Sequence, residues 1–336
     1  MNNNKNKRIN WIDIARGILM LFVIESHLGC CPPIYKTIFG PVFLSGFFFI
    51  SGYLFSEKTN FKEYFINKTK TLLLPFGILG LINILLRFVI SFNNQKPILV
   101  QFKEFVLQIG ETSGLWFIAC LYITSIIFYF INKLLKNNKK KLYFIVITVC
   151  GIISFLYNKY IQIELPWHIQ KVGIAVFFMA IGLVYKNFIE ERIRKYENKI
   201  NLFFLILVYS FLLYLNYKIF NNAYISINSY NTEMLMYFIL SLVSIWILVI
   251  VSKEISSNKW IEFVGKNTLV YFAFSGKIQS VLEVILKKYI IYNASNIYYI
   301  SVILTIIISI LLGIPSIIIN RYFPFILGKK KQKNIE

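Results

Sequence analysis

Four ionisable side chains stand out in the first apolar segment of the chain. The segment covers residues 11–29 and reads WIDIARGILMLFVIESHLG, and its ionisable residues are Asp13, Arg16, Glu25 and His27. His27 is one of only two histidines in the chain. Ionisable residues are costly inside a membrane, and they usually face a protein interior or a water-filled cavity. A segment this apolar that keeps four of them therefore indicates a functional site.

Arg16 and His27 share one side of the helix that this segment is expected to form. An α-helix turns about 100° and rises about 1.5 Å per residue, so two residues eleven positions apart return to nearly the same face, about 16 Å from each other. The face presents a permanent cation near one end and a titratable base near the other. Two structural explanations compete with a functional one: Arg16 extends to the membrane interface, and His27 caps the end of the span.

This helix belongs to a larger set of membrane-spanning segments. Of the 336 residues, 57% are hydrophobic, against about 45–50% in a typical soluble domain. A span needs about 20 apolar residues, and only helices or closed barrels satisfy their backbone groups in lipid. The apolar runs are too long and continuous for barrel strands. The sequence therefore predicts an all-α, polytopic membrane bundle of about ten helices, at roughly 11–30, 38–56, 72–92, 114–131, 142–158, 167–185, 201–220, 233–252, 265–286 and 297–320.

The positive charge of the chain is distributed unevenly between the two sides of this predicted bundle. The net charge is +21. With the N-terminus in the cytoplasm, most lysines and arginines fall in cytoplasmic tails and loops, and the opposite side holds only Lys36, Lys96, Lys103, Lys159, Lys218, Lys287 and Lys288. Membrane proteins show this asymmetry because positive loops stay inside. We therefore expect both termini in the cytoplasm and contact with a lipid bilayer, and no nucleic-acid binding.

The rest of the chain predicts a single transmembrane domain over residues 1–336, with short basic cytoplasmic tails at 1–10 and 329–336. No predicted loop is long enough to hold a soluble domain, and the first apolar run has no small-residue cleavage site. The four cysteines lack metal-ligand spacing, so we expect no metal site. The apolar spans predict a multi-pass protein of the cell membrane, and the bias toward Asn, Lys and Ile indicates a bacterial inner or plasma membrane.

Six ordered motifs carry a resemblance to a known family. The first, IDIARGILMLFVIESH, has an arginine, ten residues and a histidine. The others, in chain order, are FGPVFLSGFFFISGYLF, LLLPFGILGLIN, GLWFIACLYIT, IEFVGKNTLVYFAFSGKI and INRYFPFILGK. Each motif is weak alone, but the ordered set resembles the acyltransferase 3 family of integral membrane O-acyltransferases, and within it the fucose 4-O-acetylase-like branch.

The resemblance implies transfer of an acyl group, usually acetyl from acetyl-CoA, to a hydroxyl of a cell-surface or lipid-linked carbohydrate. Acyl-CoA is then a donor substrate, and no bound cofactor is implied. His27 is the candidate to activate the hydroxyl as a base or to carry the acyl group itself. Arg16 is the candidate to hold the phosphates of CoA, to polarise the thioester carbonyl or to orient the helix.

Five further residues are weaker candidates. Lys68 and Lys70 stand where many relatives carry an arginine pair, so they either bind CoA or simply add positive charge to a cytoplasmic loop. Trp116 matches a family motif and either contacts the substrate or sits at the membrane interface. His168 and Lys171 either bind the acceptor or form part of a polar belt at the end of a span.

One motif departs from the family pattern. Many relatives have a histidine after the Thr-Leu run of the ninth span, where this chain has Ser275, Gly276 and Lys277.

Two other functions are compatible with a polytopic protein, namely a transporter or flippase for a glycan precursor and a glycan polymerase. Transporters often show broken helices in paired halves, and no such two-fold pattern is visible in this sequence.

Overall fold

The computed structural model describes residues 9–56, 59–90, 96–110, 114–135, 140–221, 226, 233–287 and 296–329. Over these residues the chain is helical and forms no β-strand. Its α-helices are α1 (Asn10–His27), α2 (Pro33–Phe39), α3 (Phe43–Tyr53), α4 (Phe61–Lys68), α5 (Leu74–Ile90), α6 (Ile98–Leu107), α7 (Trp116–Leu135), α8 (Lys140–Leu156), α9 (Val172–Val184), α10 (Glu190–Ile193), α11 (Lys199–Phe220), α12 (Met234–Ile255), α13 (Lys259–Lys266), α14 (Thr268–Lys287) and α15 (Ile297–Tyr322).

Short π and 3₁₀ segments extend several of these helices. The π-helical segments are Thr69–Leu73, Tyr157–Ile161 and Tyr185–Ile189. The 3₁₀ segments are Pro166–Lys171, Arg194–Tyr196 and Pro324–Leu327. Such segments often occur at functional sites or strained positions, and the π segment between α4 and α5 is followed directly by Leu74 and Pro75, whose missing N–H disturbs the helical ladder.

Eight helical stretches of the described chain are long and apolar enough to cross a membrane: Pro33–Tyr53, Phe61–Arg87, Trp116–Leu135, Leu142–Ile161, Pro166–Tyr196, Lys199–Phe220, Met234–Ile255 and Ile297–Tyr322. They correspond to eight of the ten predicted spans, and the all-α membrane fold is confirmed. The other two predicted spans correspond to α1 and α14, which carry more charged and polar side chains. The count of ten and the cytoplasmic location of both ends stay predictions, and the predicted tails lie almost entirely outside the described residues.

Helix α1 lies at the centre of the bundle, which explains why it tolerates charge. It packs against α3, α12, α13, α14 and α15. Its apolar side chains Ile14, Leu19, Met20 and Ile24 are fully buried. Asp13 and Glu25 are buried too, and Glu25 accepts a hydrogen bond from Thr305 on α15. Protein, rather than lipid, therefore surrounds the two carboxylates of this helix, whereas Arg16 is half-buried and His27 is exposed.

Backbone contact between α1 and α13 brings the two helices unusually close. A Cβ atom on Gly17 would lie 2.2 Å from the Ile261 carbonyl oxygen, and one on Gly265 would lie 1.8 Å from the Asp13 carbonyl oxygen. Small residues allow this kind of approach between membrane helices. The contact places Lys266, at the end of α13, beside the part of α1 that carries Arg16.

Candidate active site

His27 lies in a cavity of about 460 Å³ at the C-terminal end of α1, which we call the His27 cavity. Side chains from α1, α3, α5, α6, α7 and α14 line it. Its polar lining includes His27, Arg87, Trp116, Ser275 and Lys277. The departure from the family pattern in the ninth predicted span thus falls in the wall of this cavity, next to the candidate base.

A hydrogen bond to the backbone sets the tautomer of His27. The His27 Nδ1 atom lies 2.8 Å from the Val23 carbonyl oxygen and 3.2 Å from Ser26 Oγ. A carbonyl oxygen can only accept a hydrogen bond, so Nδ1 carries the proton and donates a hydrogen bond to the Val23 carbonyl. In the neutral imidazole, Nε2 is then left with the free lone pair. This is the form that a general base needs.

The end of α1 is also held in place. The Gly29 N–H donates to Glu283 Oε1 of α14 at 2.7 Å, and the Gln279 amide donates to the Ile24 carbonyl at 2.8 Å. These two bonds tie the last turn of α1 to α14. The imidazole therefore stands on a helix end that is fixed against its neighbour rather than on a free loop.

Arg16 lies in a second cavity of about 360 Å³, which we call the Arg16 cavity. Four basic side chains line it, namely Arg16, Lys68, Lys266 and Lys329. Among the described residues, no acidic side chain lines it. Lys266 is 2.9 Å from Glu262 and 4.0 Å from Asp13. The cavity thus collects positive charge from α1, α4, α13 and the C-terminal segment.

Asn320 of α15 organises one wall of the Arg16 cavity. Its Nδ2 donates to Asn267 Oδ1 at 2.6 Å, and its Oδ1 accepts from Lys329 Nζ at 2.7 Å. Asn267 and Lys329 both line the cavity. Sequence reasoning missed Lys266, Asn267 and Lys329 as site residues, although Lys266 and Asn267 belong to the Gly-Lys-Asn-Thr motif.

Of the two lysines predicted to bind CoA, the structure brings only Lys68 to Arg16. Lys68 ends α4 and lines the Arg16 cavity, whereas Lys70 lies on the exposed side of the π segment and lines neither cavity. The Lys70 carbonyl oxygen instead packs against Gly328, where a Cβ atom would come within 2.2 Å. Lys70 therefore supports the C-terminal segment next to the cavity.

Phenyl rings separate the two cavities. Phe272 lines both of them, and Phe47 and Phe117 line the Arg16 cavity. The ring centroids of Phe117 and Phe272 are 5.7 Å apart, and those of Phe47 and Phe117 are 5.6 Å apart. We call Phe47, Phe117 and Phe272 the aromatic wall. Arg16 and His27 thus stand on one helix but in two cavities that meet at this wall.

Trp116, His168 and Lys171 form one cluster beside the His27 cavity. Trp116 lines the cavity, while His168 and Lys171 are buried behind it. The Lys171 Nζ lies 4.3 Å from the Trp116 ring centroid, and the His168 and Trp116 centroids are 4.6 Å apart. Only Trp116 of the three predicted acceptor residues is positioned to touch a ligand there.

The backbone that carries His168 is strained. Trp167 and His168 have φ values of 56° and 51°, which bulky side chains rarely adopt. The Trp167 indole N–H donates to the Val106 carbonyl at 2.6 Å and anchors the segment to α6. Strain of this kind persists where the surroundings enforce it, and it concentrates at functional sites.

The fold and the two cavities define a helical, multi-pass membrane protein with a basic cavity and a histidine-containing cavity on one central helix. A family model described as an acyltransferase domain matches residues 9–314, nearly the whole chain. The chain belongs to this acyltransferase family, and the resemblance to acyltransferase 3 proteins is confirmed. No curated protein and no solved structure gives a significant match.

Proposed function

We propose that this membrane acyltransferase moves an acetyl group from acetyl-CoA to a hydroxyl of a cell-surface or lipid-linked carbohydrate. The observation that carries the proposal is the pair of cavities along α1, one with Arg16 and one with His27. Family membership supports acyl transfer and disfavours the transporter and polymerase alternatives. The donor, the acceptor and the roles of the residues are part of the proposal.

The Arg16 cavity is suited to the phosphate groups of CoA. Guanidinium and ammonium groups form charge-assisted hydrogen bonds with phosphate oxygens, and the arginine fork can do so in bidentate fashion. Arg16, Lys68, Lys266 and Lys329 supply these donors. The positive-inside rule predicts a cytoplasmic location for this end of α1, and acetyl-CoA is available in the cytoplasm.

The pantetheine arm then extends from the Arg16 cavity toward the His27 cavity. Arg16 and His27 are eleven residues apart, or about 16 Å along the helix axis. The arm has to pass the aromatic wall, whose rings can turn aside to admit an uncharged chain. Donor phosphates and reacting thioester are thereby held in different cavities, each with the residue type that suits it.

His27 acts as the general base in the second cavity. The acceptor hydroxyl gives its proton to His27 Nε2 as its oxygen attacks the thioester carbonyl carbon. The new C–O ester bond forms, the C–S bond breaks, and the proton passes from Nε2 to the departing sulfur of CoA. The hydrogen bond from Nδ1 to the Val23 carbonyl stabilises the imidazolium formed in between. Trp116 offers an apolar face to the sugar ring.

A labelling experiment with three variants tests the proposal. Membranes containing wild type, His27→Asn, Arg16→Ala or the control Arg192→Ala are given radiolabelled acetyl-CoA, and label in the glycan fraction is measured at matched protein abundance. His27→Asn keeps a short donor near the Val23 carbonyl but has no base. Arg192 is an exposed residue of α10 outside both cavities.

We expect glycan labelling in wild type and Arg192→Ala, and a loss of about 10²-fold or more in His27→Asn, since general bases contribute 10²–10⁴-fold. Arg16→Ala should lose activity mainly through a higher KM for acetyl-CoA. Full activity of His27→Asn would refute the base role. An absence of labelled glycan in wild type, together with label in another fraction, would refute the carbohydrate acceptor.

A further inference from the structure

Two cations, Arg87 and Lys277, line the His27 cavity because α5 and α14 run side by side in the same direction. The first residue of α14 and the π segment just before α5 lie at the Arg16 cavity, where Thr268 and Leu72 contribute to the lining. Further along, the Asn83 amide of α5 donates to the Ala273 carbonyl of α14 at 2.8 Å. Arg87 and Lys277 each follow four residues later, one turn closer to the far end, and both line the His27 cavity.

This arrangement concentrates positive charge at the acceptor end of the proposed reaction. Arg87 and Lys277 both line the His27 cavity, and no carboxylate among the described residues lines it with them. A cleft with low-dielectric walls and one sign of charge attracts ligands of the opposite sign.

We propose that the His27 cavity selects an acceptor that carries a negative charge, a carboxylate or a phosphate, bound between Arg87 and Lys277. This inference rests on the proposed function, because it specifies the class of acceptor for that reaction. Arg87 supplies a planar fork that fits either anion in bidentate fashion, and Lys277 supplies a point charge. The uncharged donors and acceptors of the same wall, Ser275 and Ser280, remain for sugar hydroxyls.

The phosphates of the donor are a poor explanation for these two cations. In the proposed reaction CoA binds with its phosphates among the four basic residues of the Arg16 cavity, on the other side of the aromatic wall. An acidic glycan and a diphosphate-linked lipid precursor both bring an anion to the His27 cavity. In the first the charge is a uronate-type carboxylate in the chain, and in the second it is the phosphate next to the first sugar.

The product of the reaction distinguishes these acceptors. Membranes and glycans from cells that make the protein are incubated with radiolabelled acetyl-CoA, and labelled glycan is applied to an anion-exchange column. One portion is first treated with mild acid, which cleaves sugar diphosphates, and another is methyl-esterified, which removes carboxylate charge. We expect the untreated labelled glycan to be retained on the column. Loss of retention after mild acid identifies the anion as phosphate, and loss after methyl esterification identifies it as carboxylate.

Variants then connect the anion to the cavity. Arg87→Gln and Lys277→Gln should each raise the KM for the acceptor at least about tenfold, as expected for a lost charge-assisted hydrogen bond, and should leave the KM for acetyl-CoA unchanged. Lys277→Arg keeps the charge and should retain most of the affinity. Lys103→Gln removes a lysine from an exposed position of α6 outside the cavity lining and should match wild type.

The possible outcomes separate the two proposals. Labelled glycan that passes the untreated column would overturn the anionic acceptor and leave acetyl transfer to carbohydrate intact. An unchanged acceptor KM in both glutamine variants would overturn the role of Arg87 and Lys277. A complete absence of labelled glycan in wild type would overturn the proposed function and, with it, this inference.

Discussion

Replacing Gly265 by alanine tests whether the contact between α1 and α13 positions the basic residues of the Arg16 cavity. The new Cβ would lie 1.8 Å from the Asp13 carbonyl oxygen, where ordinary contact begins at 3.4 Å. Helix backbones meet at this point, so no flexible side chain can yield, and α13 has to move away from α1 by about 1.6 Å. Lys266 and Asn267 move with it, while Arg16 stays on α1.

The expected loss of acetyl-transfer activity is large for a substitution that adds one methyl group. Overpacking of this kind costs about 1–3 kcal/mol of stability, and a displacement of about 1 Å in a reacting assembly can cost about 10²-fold in rate. We therefore expect Gly265→Ala to bind CoA more weakly and to lose about 10²-fold in acetyl transfer at matched abundance. Coenzyme A should also protect the purified variant less against thermal unfolding than it protects wild type.

Gly77→Ala is the matched control for this variant. A Cβ atom at Gly77 of α5 would meet nothing within 4 Å, so the substitution keeps the same chemical change without the clash. It should leave activity unchanged and can stabilise the helix by up to about 1 kcal/mol. Wild-type activity, CoA affinity and thermal stability in Gly265→Ala would refute the claim that this backbone contact positions the cavity.

Three further predictions concern single side chains. Lys68→Met should raise the KM for acetyl-CoA at least about tenfold because it removes a cation from the Arg16 cavity. Initial rates at varied acetyl-CoA concentration measure this KM, and Lys62→Met on the exposed side of α4 is the control. Equal KM values in wild type and Lys68→Met would contradict the prediction. Trp116→Leu should raise the KM for the acceptor, because Trp116 lines the His27 cavity. It should also lower thermal stability, because Lys171 loses a cation–π contact of about 0.5–2 kcal/mol. An unchanged acceptor KM would show that the acceptor does not bind against Trp116. Burial raises the pKa of the Cys31 thiol to about 12, so the thiolate that reacts with maleimide is scarce at pH 8 and becomes more abundant only at more alkaline pH. Mass spectrometry of native and denatured samples measures maleimide labelling of Cys31. Fast labelling in the native protein at pH 8 would contradict the burial of this thiol.

The central features of the fold and site could be predicted because they depend on local sequence. The apolar runs predict the helices, and the eleven-residue spacing of Arg16 and His27 places both on one helix before any tertiary contact is known. The tautomer of His27 depends on Val23, four residues away on the same helix. Interactions between neighbours along one helix are the ones that a sequence reveals most directly.

The rest of the site depends on contacts between distant segments. Lys266 reaches the Arg16 cavity because Gly17 and Gly265 let two helices touch, and these glycines are about 250 positions apart. Arg87 and Lys277 line the same cavity, one turn beyond the point where the Asn83 amide bonds to the Ala273 carbonyl. Lysines in such positions look the same in sequence as lysines that set topology, so charge pattern alone could not separate Lys68 from Lys70.

The aromatic wall has an electrical consequence for the membrane around the protein. In the proposed arrangement the two cavities open to opposite sides of the membrane, and the apolar barrier between them is narrowed to Phe47, Phe117 and Phe272. A membrane potential then falls steeply over these rings, and carrying one elementary charge across takes about 2.3 kcal/mol per 100 mV. An acetyl group is neutral and does no work against this field, whereas protons, phosphates and acidic sugars do. In the proposed reaction the neutral acetyl group passes this wall, and the membrane keeps its stored ion gradient.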